Sequence, residues 1–215
     1  MLRGLPFRFR NKQSTIDSSR FNETVALHEL VAHLQLARCQ SIVEFGIGTG
    51  RLAAELLSVH IPADAIYVGL DVSTIMARLA KSRLQPFGVR AEVRQSDGTP
   101  RFDAEDGTFD RFISTYVFDL LSDDDTRAAL TEARRTLKPD GLLGLVSLTD
   151  GSTPLSRLVS MTWRGLHRVS PWLVGGCRPI ALHSFLSNME WRIEYRNIIV
   201  RFGVPSEVVV ARPAL

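Results

Sequence analysis

The stretch that decides the fold is VEFGIGTG, residues 43–50, in which an apolar segment runs into closely spaced glycines. Gly46, Gly48 and Gly50 allow the backbone to turn sharply and to approach a ligand, because no Cβ atom obstructs them. The residues before the turn are predicted to form a buried strand, and RLAAELLSVH after it is predicted to form a helix. This order predicts a ligand site at the carboxyl end of a strand in an α/β sheet.

Strands and helices alternate along the rest of the chain. Upstream of the glycines, apolar residues from Phe21 to Ala37 recur with a period near 3.6 and predict a helix. Ser122, followed by acids, predicts the start of a helix that runs to about Leu137 and stops at KPDG. The predicted strands are 41–46, 65–71, 89–97, 109–118 and 142–148, and two more, 192–202 and 206–212, form a closing hairpin. We therefore predict an α/β fold: a doubly wound, mostly parallel, seven-stranded Rossmann-like sheet with a C-terminal antiparallel hairpin.

Bulk properties restrict the class of protein. The 215 residues suit a single domain, 1–215, with a basic N-terminal extension at 1–20 and a substrate-lid insertion at 151–182. A net charge of +3 is too small to indicate nucleic-acid binding, and no apolar run is long enough for a membrane span. Two cysteines in dissimilar contexts and the lack of a secretory signal favour a cytoplasmic protein.

Acidic residues near the glycine turn indicate the kind of ligand. The dinucleotide fingerprint would place its third glycine at Arg51, which argues against a nicotinamide oxidoreductase. Glu44 would oppose a pyrophosphate but suits a cationic ligand without phosphate, such as S-adenosylmethionine (AdoMet). Asp71 ends the second predicted strand, where a carboxylate can accept both ribose hydroxyls, and Asp97 ends the third, where it could accept from an adenine amino group. Each acid taken alone could equally be a helix cap or turn residue.

Several motifs together resemble one enzyme family. They are VEFGIGTGRLA, YVGLDVS, SDG, DGTFDRFISTYVFDLL and LTEARRTLKPDGLLGLVSL, within roughly residues 22–150. With these residues the chain resembles the class I AdoMet-dependent methyltransferases, particularly the group of ubiquinone and menaquinone biosynthesis C-methyltransferases. The resemblance implies AdoMet as the cofactor.

The resemblance also implies a role for each matching residue. The acidic glycine motif would hold the methionine part of AdoMet, the acid after the second strand the ribose, and the acid after the third strand the adenine. The segment after the fourth strand would line the methyl end. The predicted cofactor-binding residues are Glu44, Gly46, Gly48, Gly50, Asp71, Val72, Asp97, Gly98 and Thr115.

The segment 153–185 is the distinctive part of the acceptor side. Its apolar residues fall on one helical face, which predicts a helix packed on the domain's own core, a lid over an apolar substrate, or a peripheral membrane contact. Within it, Trp163 and Arg178 are candidate substrate-binding residues, and Arg178 could equally form a surface ion pair. His183 is a candidate catalytic base, with a partly buried helix-start residue as the alternative, and Tyr116 is a second catalytic candidate.

These observations predict an enzyme that transfers a methyl group from AdoMet to a small-molecule acceptor. An apolar acceptor, such as a quinone precursor, a phenol or a lipid, is favoured by the resemblance and by 153–185. A nucleic-acid or protein methyltransferase and a non-catalytic AdoMet-binding module stay open as alternatives, although no nucleic-acid partner is expected. No metal is predicted, because the acids at 123–125 are explained by a helix start. The sequence does not indicate an oligomeric state.

Overall fold

The computed structural model describes residues 16–150, 177–201 and 204–214. Its helices are α1 (Ile16–His33), α2 (Arg51–Glu55, continued by a π turn, Leu56–His60), α3 (Thr74–Leu84), α4 (Asp123–Thr136) and α5 (Leu182–Ser187). Its strands are β1 (Ser41–Phe45), β2 (Ile66–Asp71), β3 (Ala91–Gln95), β4 (Phe109–Thr115), β5 (Leu137–Leu148), β6 (Trp191–Arg201) and β7 (Val204–Pro213). Short 3₁₀ turns lie at Leu36–Arg38, Gln85–Arg90 and Phe118–Leu120.

One seven-stranded sheet runs through the molecule in the order β3-β2-β1-β4-β5-β7-β6. The strands from β3 to β5 are parallel, whereas β7 pairs antiparallel with both β5 and β6. The predicted fold class, including the closing hairpin, is therefore confirmed. Strand order reverses between β1 and β4, and ligands of such sheets bind beyond the carboxyl ends of the strands at that point.

Two apolar layers cover the faces of this sheet. Side chains of α1, α2 and α3 pack on one face, and side chains of α4 and α5 pack on the other. Gly144 of β5 allows α1 to come close, since a Cβ atom there would lie 2.8 Å from Leu34 Cδ2. None of the described helices combines the length and the apolar character that crossing a bilayer requires.

Several predicted boundaries differ from the structure. The first helix spans 16–33 rather than 21–37, so part of the predicted 1–20 extension is helical. Its last turn is followed by Gln35 in a left-handed conformation, φ 49°. The buried guanidinium of Arg111 donates hydrogen bonds to the carbonyl oxygens of Leu34 and Gln35. A contact from β4 therefore ends the helix earlier than the apolar pattern indicates.

Two strand predictions are also corrected. The fourth strand ends at Thr115 rather than 118, because Tyr116 turns the chain with a φ of 55°. The fifth begins at Leu137, so the KPDG segment lies within β5 rather than before the strand. Its pairing with β4 shifts register between Phe109 and Arg111, which accommodates the extra residues.

Candidate functional site

The glycine turn after β1 is built around backbone shapes that favour glycine. Gly46, Gly48 and Gly50 have φ angles of 82°, 55° and 72°. A Cβ atom on Gly46 would lie 2.2 Å from a Val117 methyl group, whereas the side of Gly48 on which a Cβ would sit is open. The turn is held to β2 by the amides of Gly46 and Ile47, which donate to Leu70 O at 2.8 and 2.9 Å. An open, glycine-lined surface is thus fixed at the end of β1.

Asp71 joins this turn to the end of β2. Its Oδ2 accepts from the amide of Gly48 at 2.8 Å, and its Oδ1 accepts from the amide of Ser73 at 2.8 Å. Burial raises the pKa of Asp71, and these amides oppose that rise by stabilising the ionised form. The carboxylate still has free lone pairs on both oxygens, so it can accept further hydrogen bonds from a pair of hydroxyl groups.

Glu44 is buried at the end of β1, only 2% exposed. The hydroxyl of Tyr67 donates to Glu44 Oε2 at 2.7 Å. Burial raises the pKa of Glu44 to about 8; the Tyr67 hydrogen bond lowers it and the charge of Asp71 raises it. The protein without a ligand therefore holds Glu44 protonated at neutral pH, which the sequence analysis did not predict. Tyr67 was also missed, and the signal for it was a polar hydroxyl in the otherwise apolar strand IYVGL.

Asp97 and Gly98 form the loop after β3. Asp97 is exposed, two residues beyond the end of the strand, and its Oδ1 accepts from Thr99 N at 2.9 Å and Thr99 Oγ1 at 2.7 Å. These bonds from Thr99 lower the pKa of Asp97, so the group is ionised at neutral pH. A Cβ atom on Gly98 would lie 3.9 Å from Val72 Cγ1, so the exposed Val72 side chain borders this loop. The arrangement leaves an apolar surface beside a carboxylate.

The end of β4 carries Thr115 and Tyr116. Thr115 pairs with Val146 of β5, and the amide of Tyr116 donates to Val146 O at 2.7 Å. The Tyr116 hydroxyl lies 3.1 Å from Ser206 Oγ on β7. The side chain of Tyr116 is therefore held across the carboxyl edge of the sheet, between the cofactor side and the C-terminal hairpin. The sequence analysis did not single out Ser206.

Asp119 lies just beyond this turn and is fully buried. Its Oδ1 accepts from Ser147 Oγ at 3.2 Å, and the Cys177 thiol also bonds to the carboxylate. Burial raises the pKa of Asp119 to about 6 and that of Cys177 to about 12. Because the thiolate is the nucleophilic form, the protonated Cys177 is an inert thiol rather than a nucleophile.

His183, in the first turn of α5, contacts a buried carboxylate on β7. Its Nδ1 lies 2.8 Å from Glu207 Oε1, and Arg196 Nε donates to the same oxygen at 2.6 Å. The amide of Leu182 donates to Glu207 Oε2 at 2.9 Å. The sequence analysis missed Glu207. Its signal was a lone acid in the strand SEVVVAR, whose other side chains are apolar or small up to Arg212.

The two remaining substrate-side candidates differ in status. The guanidinium of Arg178 donates to Asp123 Oδ1 at 2.7 Å and to Leu121 O at 2.8 Å, which favours the ion-pair alternative over a substrate-binding role. The backbone amide of Arg178 also donates to Asp119 O at 2.8 Å. The chain at Arg178, near the C-terminal end of the predicted lid, is therefore held against the segment after β4. Trp163 lies outside the described residues, as does most of the predicted lid, 151–182, because residues 151–176 are not described.

The residues at the edge of β1, β2 and β3 fit AdoMet. Gly48 offers space that a Cβ atom would fill, Asp71 offers oxygens for the ribose hydroxyls, and Val72 offers an apolar surface beside Asp97. Glu44 is an acid that a neighbouring positive charge would ionise. None of these contacts depends on a phosphate group in the ligand.

Comparisons with known proteins agree with this geometry. Residues 42–141 match the family described as a methyltransferase domain. An uncharacterised methyltransferase of Oceanobacillus iheyensis is 30% identical over 118 residues, which cover 54% of this chain and 49% of that protein. A demethylmenaquinone methyltransferase of Lactobacillus johnsonii is 28% identical over 125 residues, 58% of this chain and 49% of that protein. The chain thus spans about half the length of each of these relatives.

A solved structure extends the likeness to the whole fold. The YcgJ protein of Bacillus subtilis superposes with a TM-score of 0.69 at 16% identity, over 89% of this chain and 99% of that one. The matches support the predicted enzyme class and the predicted cofactor. The narrower resemblance to quinone C-methyltransferases is supported only by identities near 28% over part of the chain.

Proposed function

We propose that this protein transfers a methyl group from AdoMet to a small-molecule acceptor, and that an apolar acceptor such as a quinone precursor, a phenol or a lipid is favoured. The observation that carries the proposal is the contact of Gly48 N with Asp71 Oδ2 at 2.8 Å, which joins the glycine turn to an acid of the next strand. That contact lies at the carboxyl ends of β1 and β2, next to the point between β1 and β4 where strand order reverses, which is the usual ligand position in such sheets.

In this proposal the cofactor lies along the ends of β1, β2 and β3. Glu44 and the glycine turn would hold the methionine part, Asp71 the ribose, and Asp97 with Val72 and Gly98 the adenine. Thr115 and Tyr116 would border the methyl end. AdoMet supplies an electrophilic methyl group on a sulfonium; the protein then acts mainly by holding the acceptor in line and by excluding water.

The acceptor would lie beyond β4, β5 and β7. Tyr116 contacts Ser206 on the α1 face of this edge, and His183 contacts Glu207 on the α5 face; His183 would take the proton that the acceptor loses. An apolar acceptor is supported by the predicted apolar face in 153–176 and by the printed name of the Lactobacillus johnsonii relative, a demethylmenaquinone methyltransferase. A cytoplasmic location and a peripheral membrane contact stay predictions.

Calorimetry with AdoMet and its product S-adenosylhomocysteine tests the cofactor site. We expect Asp71→Asn to weaken AdoMet binding roughly tenfold to a hundredfold, because the ribose hydroxyls lose a charged acceptor. The matched control is Asp64→Asn, since Asp64 is an exposed acid in the loop before β2. Equal affinities of both variants and of the unaltered protein would contradict the assigned ribose site.

Product release separates an enzyme from a non-catalytic AdoMet-binding module. Formation of S-adenosylhomocysteine is measured with a demethylated quinol, a phenol, an amine and a phospholipid vesicle as acceptors. We expect turnover with the quinol or phenol and none with the amine. The same assay is repeated with an RNA and with a protein acceptor, and turnover with one of these alone would replace the small-molecule proposal by its alternative.

A further inference from the structure

Glu207 is a fully buried carboxylate whose partners settle its charge. It receives a hydrogen bond from the amide of Leu182 on Oε2, and it faces Arg196 Nε and His183 Nδ1 on Oε1, at 2.6 and 2.8 Å. Arginine and backbone amide groups can only donate, so both oxygens of Glu207 act as acceptors. The hydrogen between Glu207 and His183 therefore belongs to Nδ1. In the neutral imidazole the lone pair is then on Nε2.

The pair lies at the edge of the sheet where the proposed reaction takes place. Glu207 pairs with Ser147, one residue before the end of β5, and the amide of Ile180 donates to Leu148 O at 2.9 Å just before α5 begins. The preceding residue, Ser206, points to the opposite face of the sheet, where it contacts the Tyr116 hydroxyl, so the pair shares the edge with Tyr116 but lies on the α5 face. The His183 side chain is 37% exposed, whereas the side chain of its partner acid is fully buried.

We propose that Glu207 is a positioning residue that holds His183 in the Nδ1–H tautomer, so that Nε2 takes a proton from an acidic hydroxyl group of the acceptor. The inference rests on the proposed function and narrows it to a phenol or a hydroquinone. A lipid without an acidic proton does not need such a base, nor does an amine that enters in its neutral form.

The step balances in atoms and charge. The acceptor oxygen forms a bond to the methyl carbon and gives its proton to His183 Nε2, while the electron pair of the broken carbon–sulfur bond stays on sulfur. The imidazolium that results is stabilised by the Glu207 carboxylate and later loses its proton to water. No oxidant, metal or further reactant is required.

Ser184 contributes to the resting state of this pair. Its Oγ lies 3.3 Å from His183 Nε2, so the hydroxyl can donate to the free lone pair. An acceptor hydroxyl takes over that position, since a phenolic O–H is the stronger acid and the better donor. Among the described contacts, the charged group that faces His183 is Glu207 from β7, and the charged group that faces Glu207 is Arg196 from β6.

Nitrogen NMR of ¹⁵N-histidine-labelled protein reads the tautomer directly. The chain has five histidines, and His183→Asn assigns the relevant signals. In the S-adenosylhomocysteine complex we expect the neutral form of the His183 ring to carry its proton on Nδ1. Addition of 2-naphthol should shift the Nε2 signal, whereas 2-methoxynaphthalene, which has no hydroxyl proton, should not.

Glu207→Gln tests the positioning role, with Glu194→Gln as the matched control. Glu194 is a carboxylate on the neighbouring strand that also holds two arginines, through Arg192 Nε at 2.8 Å and Arg212 Nε at 3.0 Å. We expect Glu207→Gln to mix the two His183 tautomers and to lower kcat with 2-naphthol about tenfold or more, with AdoMet affinity unchanged. Glu194→Gln should leave both kcat and the tautomer as they were.

The outcomes separate this inference from the proposed function. A proton on Nε2 in the unaltered protein, no response to 2-naphthol, or an unchanged tautomer and kcat in Glu207→Gln would each overturn the role of Glu207. A loss of kcat in both glutamine variants, in parallel with their melting temperatures, would show a purely structural role and also overturn it. A failure to bind either AdoMet or S-adenosylhomocysteine would instead refute the methyltransferase proposal itself.

Discussion

Glu44 links the affinity for AdoMet to pH, because its buried carboxyl holds a proton that a bound cation should displace. With a pKa of about 8, the acid is mostly neutral at pH 7 in the ligand-free protein. The positive groups of AdoMet favour the ionised form, so binding should release about 0.9 proton at pH 7. The direction of the effect is set by burial, which is the main cause of the raised pKa.

The size of the effect follows from linkage. Between pH 6 and about 7.5 the association constant for AdoMet should rise about tenfold per pH unit, or roughly 1.4 kcal/mol, and it should level off near pH 8. The folding stability of the ligand-free protein has the opposite pH dependence. Its folded pKa for Glu44 exceeds the ordinary value of 4.5, so this contribution to stability is complete below pH 4.5 and is lost as the pH rises towards 8. The total is about 4 to 5 kcal/mol.

Titration calorimetry in buffers of different ionisation enthalpy measures the released proton. Glu44→Gln should abolish the buffer dependence, whereas Glu105→Gln, at an exposed position, should keep it. Tyr67→Phe should move the titration of Glu44 to higher pH, because the lost hydroxyl stabilised the carboxylate. Identical binding heats in all buffers at pH 7 for the unaltered protein would refute this reasoning.

Two further predictions concern packing around the site. Gly69→Ala would place a Cβ atom 2.0 Å from Ile47 Cδ1, so it should lower the free energy of unfolding by about 1 to 3 kcal/mol in thermal melts. Adding Ile47→Ala should restore most of that stability, and no rescue by this second change would disprove the clash. Arg111→Met should cost about 2 to 4 kcal/mol in urea unfolding, because the carbonyls of Leu34 and Gln35 lose a buried donor. Arg111→Lys, which keeps one charged donor, should cost less stability, and an equal loss of stability in both variants would contradict this account.

Local patterns in the sequence predicted the sheet because each strand carries its own signal. The run VEFGIGTG and the apolar strands that follow it placed the glycine turn, Asp71 and Asp97 at one edge, and the structure brings the first two into contact. Local patterns could not predict where α1 ends, since Arg111 from a distant strand determines it. For the same reason the ion pair of Arg178 was only one of two alternatives: Asp123 is far from it in sequence and close to it in the fold.

The acceptor side was predicted less completely, for a physical reason. His183 could be chosen by residue type, but its tautomer depends on Glu207, which reaches it only through the pairing of β5 with β7. Glu44 lies beside the turn, where the sequence placed it, yet its protonation depends on burial and on the Tyr67 hydroxyl.

The interior place of β7 bears on how the nascent chain folds. β5 spans 12 residues, and its free edge stays without a neighbour until residues 204–213 leave the ribosome. An exposed edge of that length invites pairing with another chain, so ribosome-stalled fragments that stop before β7 should self-associate. The part of the sheet that carries the glycine turn can therefore fold during translation, whereas the side proposed to hold the acceptor is complete only when the C-terminal hairpin inserts.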